Sequence, residues 1–133
     1  DSSTSRGLGD VYKRQSVRWS IEFSEEVRTW YAGLTPAGKA STDRILERLA
    51  LQGNMLRMPH SRPLGDGLHE LRFSCENVNR RITYVFDPDR RVVTLTTFRK
   101  QRQNERTEVL RARRAQAAHE ASRHAEEKNG RRS

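Results

Sequence analysis

The sequence predicts an α+β fold, in which two N-terminal helices pack on a small, mainly antiparallel twisted sheet and a C-terminal helix follows the sheet. Residues 24–52 show the apolar spacing and the end signals of two consecutive helices. Residues 68–98 contain three segments in which apolar and polar residues alternate. Residues 17–23 alternate in the same way and supply one more strand ahead of the helices. Helices and strands that occur in separate blocks are typical of an α+β domain.

The two helices are marked by the residues at their ends. Ser24 is placed to cap the first helix, because its hydroxyl can accept a hydrogen bond from a backbone N–H of the first turn. Thr35 followed by Pro36 starts the second, since proline is preferred at the first helical position. Gly53 is placed to end it. We therefore expect a helical hairpin over residues 24–52, with one buried face and no direct functional role.

Three strands, residues 68–73, 81–86 and 92–98, are expected to form the centre of the sheet, and residues 53–67 form a loop that leads into them. Successive side chains of a strand point to opposite faces, so each segment has one mainly apolar side. If these apolar sides share one core, the other face is polar and cationic. That face would display Glu70, Arg72, Arg81, Thr83, Thr94, Thr96 and Phe98, with Lys100 at its end.

The composition predicts a small core and an ionic surface, with 33% apolar and 32% charged residues among 133. The 26 Lys and Arg residues exceed the 17 Asp and Glu residues, and the formal net charge is +9. Charge of this sign favours a polyanion or an acidic protein as partner, through counterion release and electrostatic steering. A soluble protein with a basic tail would have the same composition.

Cysteine content and hydropathy exclude several classes of protein. Cys75 is the only cysteine, so an intrachain disulfide and a cysteine cluster for zinc are both excluded. No apolar run approaches the roughly 18 residues of a membrane-spanning helix, and no secretory signal is evident. We expect a soluble cytoplasmic protein with no cofactor and no metal site.

The chain is expected to hold one domain. Residues 1–16 are rich in Ser, Gly and charge without periodicity, and they are interpreted as a non-native or disordered arm. Residues 17–115 form the domain, and residues 116–133 form a helical extension and a disordered tail.

Four stretches carry a resemblance to a known group of proteins: G-L-H-E-L-R from Gly67, R-R-I-T-Y-V-F from Arg80, R-R-V-V-T-L-T-T-F-R-K from Arg90 and E-R-T-E-V-L-R-A-R-R from Glu105. A leading W-S-I-E-F and the order strand, two helices, three strands are similar as well. Together these features resemble the RelE/ParE toxin superfamily, in its HigB-like branch related to phage-derived proteins, over roughly residues 17–115.

The resemblance implies the toxin of a type II toxin–antitoxin system. RelE-like members cut messenger RNA in the ribosomal A site, and ParE-like members poison DNA gyrase. A metal-independent, ribosome-dependent mRNA endonuclease that inhibits translation is therefore expected. A non-enzymatic ParE-like gyrase inhibitor is one alternative, and a catalytically degenerate toxin that only binds its antitoxin is another. The cationic sheet face favours the endonuclease, because a gyrase poison needs no face that holds phosphate.

Cationic side chains on the sheet are the first candidates for a site that binds and cleaves RNA. By motif match, Arg72 and Arg81 correspond to strand positions that family members use at or near RNA, and Lys100 with Arg102 corresponds to the basic residues after the last strand. Guanidinium groups stay charged and match phosphate oxygens in geometry. The expected catalytic residues are Arg72, Arg81, Lys100 and, as general base, Glu70. The expected RNA-binding residues are Arg72, Arg81, Phe98, Arg99, Lys100, Arg102 and Arg106.

Some positions weaken the match or suit the core better. Gln101 stands where many relatives carry a second lysine, and a terminal catalytic tyrosine has no counterpart. His69 titrates near neutrality, as an acid–base residue should, but its phase in the strand places it on the core side. Tyr84 shares that side and is likewise expected in the core.

The partners that the resemblance implies are a helix-turn-helix antitoxin, ribosome-bound mRNA and ribosomal RNA, with no membrane. The start of the C-terminal helix is strongly basic, with Arg106, Arg111, Arg113 and Arg114. These arginines have three interpretations: contact with ribosomal RNA, docking of an acidic antitoxin segment, or a solvated helix face.

Overall fold

The computed structural model describes the backbone of residues 18–132 and the side chains of residues 18–125. In chain order the elements are β1 (Ser20–Glu22), α1 (Glu25–Ala32), α2 (Pro36–Gln52), β2 (Ser61–Gly65), β3 (Leu68–Cys75), β4 (Val78–Asp87), β5 (Arg91–Arg99) and α3 (Glu105–Arg132). The predicted α+β class is confirmed. The predicted arm, residues 1–16, lies outside the described residues.

The sheet has five strands in the order β1-β5-β4-β3-β2. β1 pairs with β5 in parallel, and the other pairs are antiparallel. The prediction of a loop over residues 53–67 is wrong in part, because β2 lies within it. β2 contains Pro63 and ends at Gly65, and it lacks the alternation that marks a strand. An edge strand tolerates proline, since one row of its backbone groups has no partner strand.

The helical hairpin forms with the predicted end residues. The N–H of Val27 donates to Ser24 Oγ at 3.3 Å, and the N–H of Gly38 donates to Thr35 Oγ1 at 3.0 Å. Gly53 ends α2 with a φ of +52°, a conformation that favours glycine. Local sequence therefore marks where both helices begin and where α2 ends.

The sheet has a hydrophobic core on each face, and the expectation of one shared core is wrong. The first core lies under α1 and α2 and contains Val27, Ile45, Leu46, Leu49, Leu56, Leu71, Ile82, Tyr84 and Val92. The second core belongs to the other face, under α3. It contains Leu68, Val85, Val93, Leu95 and Ala112. Part of the face predicted to be polar is thus apolar and covered.

The prediction that Thr94 lies on the polar face is also wrong. Its hydroxyl donates to the Glu22 carbonyl oxygen at 3.0 Å and accepts from the Ser24 N–H at 3.1 Å, on the side of α1. The pairing of β4 with β5 shifts register beyond Ile82, and strict alternation fails there. Leu95 consequently packs in the second core beside Thr96, on the face of α3.

A two-residue turn joins β3 to β4 and sets their register. Cys75 pairs with Val78, and the turn residues Glu76 and Asn77 have φ values of +53° and +64°. Two consecutive residues with positive φ are typical of a type I′ hairpin turn. The Glu76 carboxylate also accepts hydrogen bonds from the backbone and hydroxyl of Thr35, which ties the turn to the start of α2.

Helix α3 is attached to the sheet mainly by polar side chains. Arg113 donates to carbonyl oxygens at the end of β2, and Gln116 donates to the Asp66 carbonyl oxygen in the turn that follows. Further along the helix, His119 and Arg123 both contact the buried carboxylate of Asp87, at 2.8 and 2.9 Å. The helix continues to Arg132, and the disordered tail stays a prediction. Within the described part of the chain, no helix combines the length and apolar character needed to cross a membrane.

A pair of glycine substitutions tests the junction between α2 and β1. A Cβ at Gly53 would lie 2.0 Å from the indole nitrogen of Trp19, and φ is positive there. Gly53→Ala should therefore lower the free energy of unfolding by at least about 2 kcal/mol in urea denaturation. Gly33→Ala is the matched control, because its Cβ would meet only ordinary contacts, and we expect a change within about 0.5 kcal/mol. Equal effects of the two substitutions would contradict this account of the junction.

Candidate anion-binding site

Two arginines face each other across the central strands. Arg72 of β3 pairs in register with Arg81 of β4, so both side chains lie on the face that α3 partly covers. Like charges directly opposite on a sheet repel. Arg72 Nη1 lies 3.5 Å from Met58 Sδ, and Arg81 Nη1 donates to the Arg80 carbonyl oxygen at 3.0 Å. Among the described residues, neither guanidinium donates a hydrogen bond to a carboxylate.

Glu70 is the carboxylate nearest to this pair, and it is buried. Its Oε1 lies 3.7 Å from Arg81 Nε, and the residue is 1% exposed. Neither carboxylate oxygen accepts a hydrogen bond from a described residue. Burial raises the pKa of Glu70, and the positive charge of Arg81 opposes that effect. The ion pair therefore leaves both charges without a hydrogen bond between them, at a distance of 3.7 Å.

Arg81 is affected by the same environment. The residue is 7% exposed, whereas Arg72 is half-buried. Burial lowers the pKa of Arg81, the charge of Arg72 acts in the same direction, and the charges of Glu70 and Glu105 oppose it. An anion held between Arg72 and Arg81 would relieve their repulsion and accept hydrogen bonds from their N–H groups.

Two further charged residues belong to the site, and sequence reasoning missed both. Arg62 of β2 pairs in register with Glu70, so it lies on the same face. Its Nη1 is 3.6 Å from Glu105 Oε1, in the first turn of α3. Arg62 was missed because β2 was taken for a loop. We call Arg62, Arg72 and Arg81 the arginine cluster.

Phe98 lies beside the arginine cluster, but its ring is buried and not exposed to solvent. It pairs in register with Arg81, and it is only 4% exposed. The ring therefore has no open face for a base to stack on. The burial of Phe98 was missed because the sequence analysis assumed that this face of the sheet is exposed to solvent.

None of the other predicted cations has a described contact with the arginine cluster. Arg99 pairs in register with Arg80, whose guanidinium stacks over Trp30 at 4.8 Å, so both lie on the helical-hairpin face. Lys100 Nζ donates to the Gln101 carbonyl oxygen. Arg102, in the turn before α3, and Arg106, in its first turn, are exposed, and no described contact joins them to the arginine cluster.

His69 and Tyr84 lie on the opposite face, as predicted. Their rings stack with centroids 5.3 Å apart, next to Phe86. Burial lowers the pKa of His69 and raises that of Tyr84. Neither residue can act together with the arginine cluster, because the sheet separates them.

The basic start of α3 serves the protein's own fold in part. Arg111 forms ion pairs with Glu26 and Glu108, and Arg113 donates a hydrogen bond to the Gly65 carbonyl oxygen at the end of β2. Only Arg106 and Arg114 of the predicted basic group are exposed. Among the described side chains, no group of three or more His, Cys, Asp or Glu residues could hold a metal ion.

The chain matches the model of a known protein family. The family described as Phage derived protein Gp49-like (DUF891) matches residues 29–119, which include α2, all of β2 to β5 and half of α3. No curated protein matches the chain.

The buried Glu70 predicts a particular dependence of stability on pH. Its pKa is raised by folding, so the folded state loses stability as the pH rises from the unfolded-state pKa through the folded-state pKa. Glu70→Gln removes this loss. The free energy of unfolding of the variant, relative to the unmodified protein, should therefore increase between pH 4 and pH 8 in urea denaturation.

Glu76→Gln is the control with the opposite sign. Hydrogen bonds from the backbone and hydroxyl of Thr35 lower the pKa of Glu76, so its stabilisation is lost as the pH falls. The stability of this variant relative to the unmodified protein should decrease as the pH rises. If the free energies of unfolding of Glu70→Gln and of the unmodified protein changed in parallel with pH, folding would not raise the pKa of Glu70, and this account would be contradicted.

Proposed function

Because the chain belongs to the Gp49-like family of phage-derived proteins, we propose that it is the toxin of a type II toxin–antitoxin system and cleaves messenger RNA on the ribosome. The family is associated with the toxins of toxin–antitoxin systems. The observation that carries the proposal is the opposed pair Arg72 and Arg81, whose guanidinium groups have no hydrogen-bonded carboxylate among the described residues. The proposed reaction takes place in the cytoplasm, where ribosomes translate.

The proposed chemistry is transfer of the phosphate from the 5′-oxygen to the 2′-oxygen of the message. The 2′-hydroxyl loses its proton to a base and attacks phosphorus, while the bond from phosphorus to the 5′-oxygen breaks. The leaving oxygen takes up a proton, and the products carry a 2′,3′-cyclic phosphate and a 5′-hydroxyl. Arg72 and Arg81 hold the non-bridging oxygens and stabilise the charge that develops there, without a metal ion.

Glu70 has a positioning role rather than the predicted role of general base. At 1% exposure its carboxylate cannot reach a substrate hydroxyl. Its Oε1 lies 3.7 Å from Arg81 Nε, so its charge attracts that guanidinium toward it without a hydrogen bond. Because Arg81 is the cation in ion-pair distance of this buried carboxylate, Arg81→Ala is a poor test of catalysis. Removing the cation leaves a buried charge unpaired, which typically costs about 3–5 kcal/mol.

Glu105 is a better candidate for the base. It lies in the first turn of α3, it pairs with Arg62 of the arginine cluster, and its side chain is 41% exposed. Its negative charge raises the pKa of both Glu70 and Arg81. Lys100 and Arg102, in the segment that leads into α3, extend the cationic surface along which the RNA backbone would run.

The antitoxin is proposed to inhibit by covering the arginine cluster. An acidic segment of a helix-turn-helix antitoxin would compete with phosphate for the same guanidinium groups. Among the side chains of α3 that the structure describes, Arg106 and Arg114 are the exposed arginines that remain for such a segment or for ribosomal RNA. An antitoxin complex that left Arg72 and Arg81 open to solvent would exclude this mode of inhibition.

Primer extension in a reconstituted translation reaction tests the endonuclease. The purified protein should generate new mRNA 5′ ends at the A site only when ribosomes are present. Arg72→Ala should reduce cleavage by about 100-fold or more, because it removes a charge-stabilising donor. The double variant Glu70→Gln/Arg81→Met should do the same while replacing both partners of the buried pair.

Arg48→Ala is the matched control, since Arg48 is an exposed arginine of α2 on the other side of the sheet. It should leave cleavage unchanged. Intact message with all proteins folded would reject the endonuclease, and a gyrase supercoiling assay would then test the ParE-like alternative. Cleavage that Arg72→Ala leaves unaffected would assign the arginine cluster to antitoxin binding alone.

Two substitutions one turn apart on α3 test the proposed base. Glu105→Gln should lower the rate of cleavage by about 100-fold or more, because it removes the group that takes the proton. Glu108→Gln, whose carboxylate pairs with Arg111, should leave the rate unchanged. Equal rates for the two variants would eliminate Glu105 from the chemistry.

A further inference from the structure

A cavity of about 170 Å³ lies at the edge of the sheet, on the face opposite the arginine cluster. It opens between β2, the segment that follows α2, and the ends of β3 and β4. Its walls are mainly apolar or aromatic and include Leu56, Pro63, His69, Tyr84 and Phe86. No residue of the proposed site lines it.

The interior of the cavity suits an uncharged, apolar group. The hydroxyls of Ser61 and Tyr84 hydrogen-bond to each other, so both have a partner within the protein. Burial lowers the pKa of His69 and so favours its neutral form. A hydrocarbon side chain could fill this space without leaving these hydroxyls unpaired. A nucleobase would bring polar edges, for which the walls offer few partners.

The rim of the cavity is partly apolar and partly cationic. Met58 lines the cavity and is 55% exposed, and the nearby Met55 is 66% exposed. Methionine side chains adapt to the shape of a partner and are frequent at protein-binding surfaces. Arg57 also lines the cavity and is exposed, and Met58 touches Arg72. Exposed methionines beside arginines match a ligand that carries both apolar and acidic side chains.

The edge of the sheet is poorly suited to pairing with an added strand. β2 is the edge strand, and Pro63 removes one of its backbone donors. A partner at this edge would therefore gain little from backbone hydrogen bonds. Insertion of a side chain into the cavity is the better source of affinity.

We propose that the cavity and its basic rim form a docking surface for an acidic segment of a partner protein, which inserts one bulky apolar side chain between Leu56, Tyr84 and Phe86. Arg57 pairs with acidic side chains that flank the inserted one. The contact between Met58 and Arg72 brings the same partner to the border of the arginine cluster. This interaction goes beyond the proposed function, and it does not require that the protein cleave RNA.

Fluorescence anisotropy with two labelled nonapeptides tests the proposal on the full chain. One probe has eight glutamates around a central tryptophan, and the other has serine at the centre. Because burial of an aromatic side chain contributes about 1.5–3 kcal/mol, the tryptophan peptide should bind at least about 10-fold more tightly. Asn54→Trp places an indole at the mouth of the cavity and should abolish this preference.

The controls separate the cavity from the charge of the rim. Ala40→Trp adds the same side chain to an exposed position of α2 and should leave the preference intact. Arg57→Glu should weaken both peptides equally, and Asn54→Trp and Arg57→Glu should leave any RNA cleavage unchanged. Equal binding of the two peptides to the unmodified protein would overturn the proposal.

Other occupants of the cavity would give different results. Self-association that Asn54→Trp abolishes would assign the cavity to a second copy of the chain and overturn the proposal. Tighter binding of a nine-residue oligouridylate to the unmodified protein than to Asn54→Trp would assign it to RNA, with the same consequence. Failure of these binding tests would leave the primer-extension result unaffected, so the two proposals stand or fall separately.

Discussion

The polar attachment of α3 decides which part of the sheet stays open. The helix contributes Ala112 and the partly buried Ala115 to the second core, and this small apolar area cannot hold it alone. Arg113 and Gln116 bind carbonyl oxygens at the turn between β2 and β3, and His119 and Arg123 bind Asp87 at the end of β4. With these anchors the later turns of α3 cover one end of the second face. The arginine cluster lies at the other end, where α3 begins.

This arrangement divides the basic residues of the chain into two groups with different physical roles. Arg111, Arg113 and Arg123 have carboxylate or carbonyl partners within the protein. The net charge of +9 therefore overstates the number of cations that are free to bind a polyanion. Arg72 and Arg81 differ because they lie opposite each other in the sheet and neither donates a hydrogen bond to a carboxylate of the described residues. Their mutual repulsion, with one buried carboxylate nearby, makes an external anion favourable at this place.

Local signals in the sequence were sufficient for the helices and for the central strands. Ser24, Thr35 and Gly53 mark helix ends through their own chemistry, and alternation marks β3 and β4. β2 was missed because its pairing with β3 comes from tertiary structure, and Pro63 argues locally against a strand. The burial of Glu70 and Phe98 was missed for a related reason. Alternation assigns a face to each residue but does not reveal that α3 covers part of that face.

The two-residue turn at Glu76 and Asn77 has a consequence for how this family of chains can vary. A β-hairpin changes the face of every side chain on one strand when its register moves by one residue. One residue added to this turn would exchange Arg80, now stacked on Trp30, with Arg81. The exposed positions of α2 can diverge in sequence while the site survives, whereas the length of this turn is constrained as strictly as the identity of the arginines. Natural variation in the family should therefore avoid insertions here, even though the turn lies at the surface.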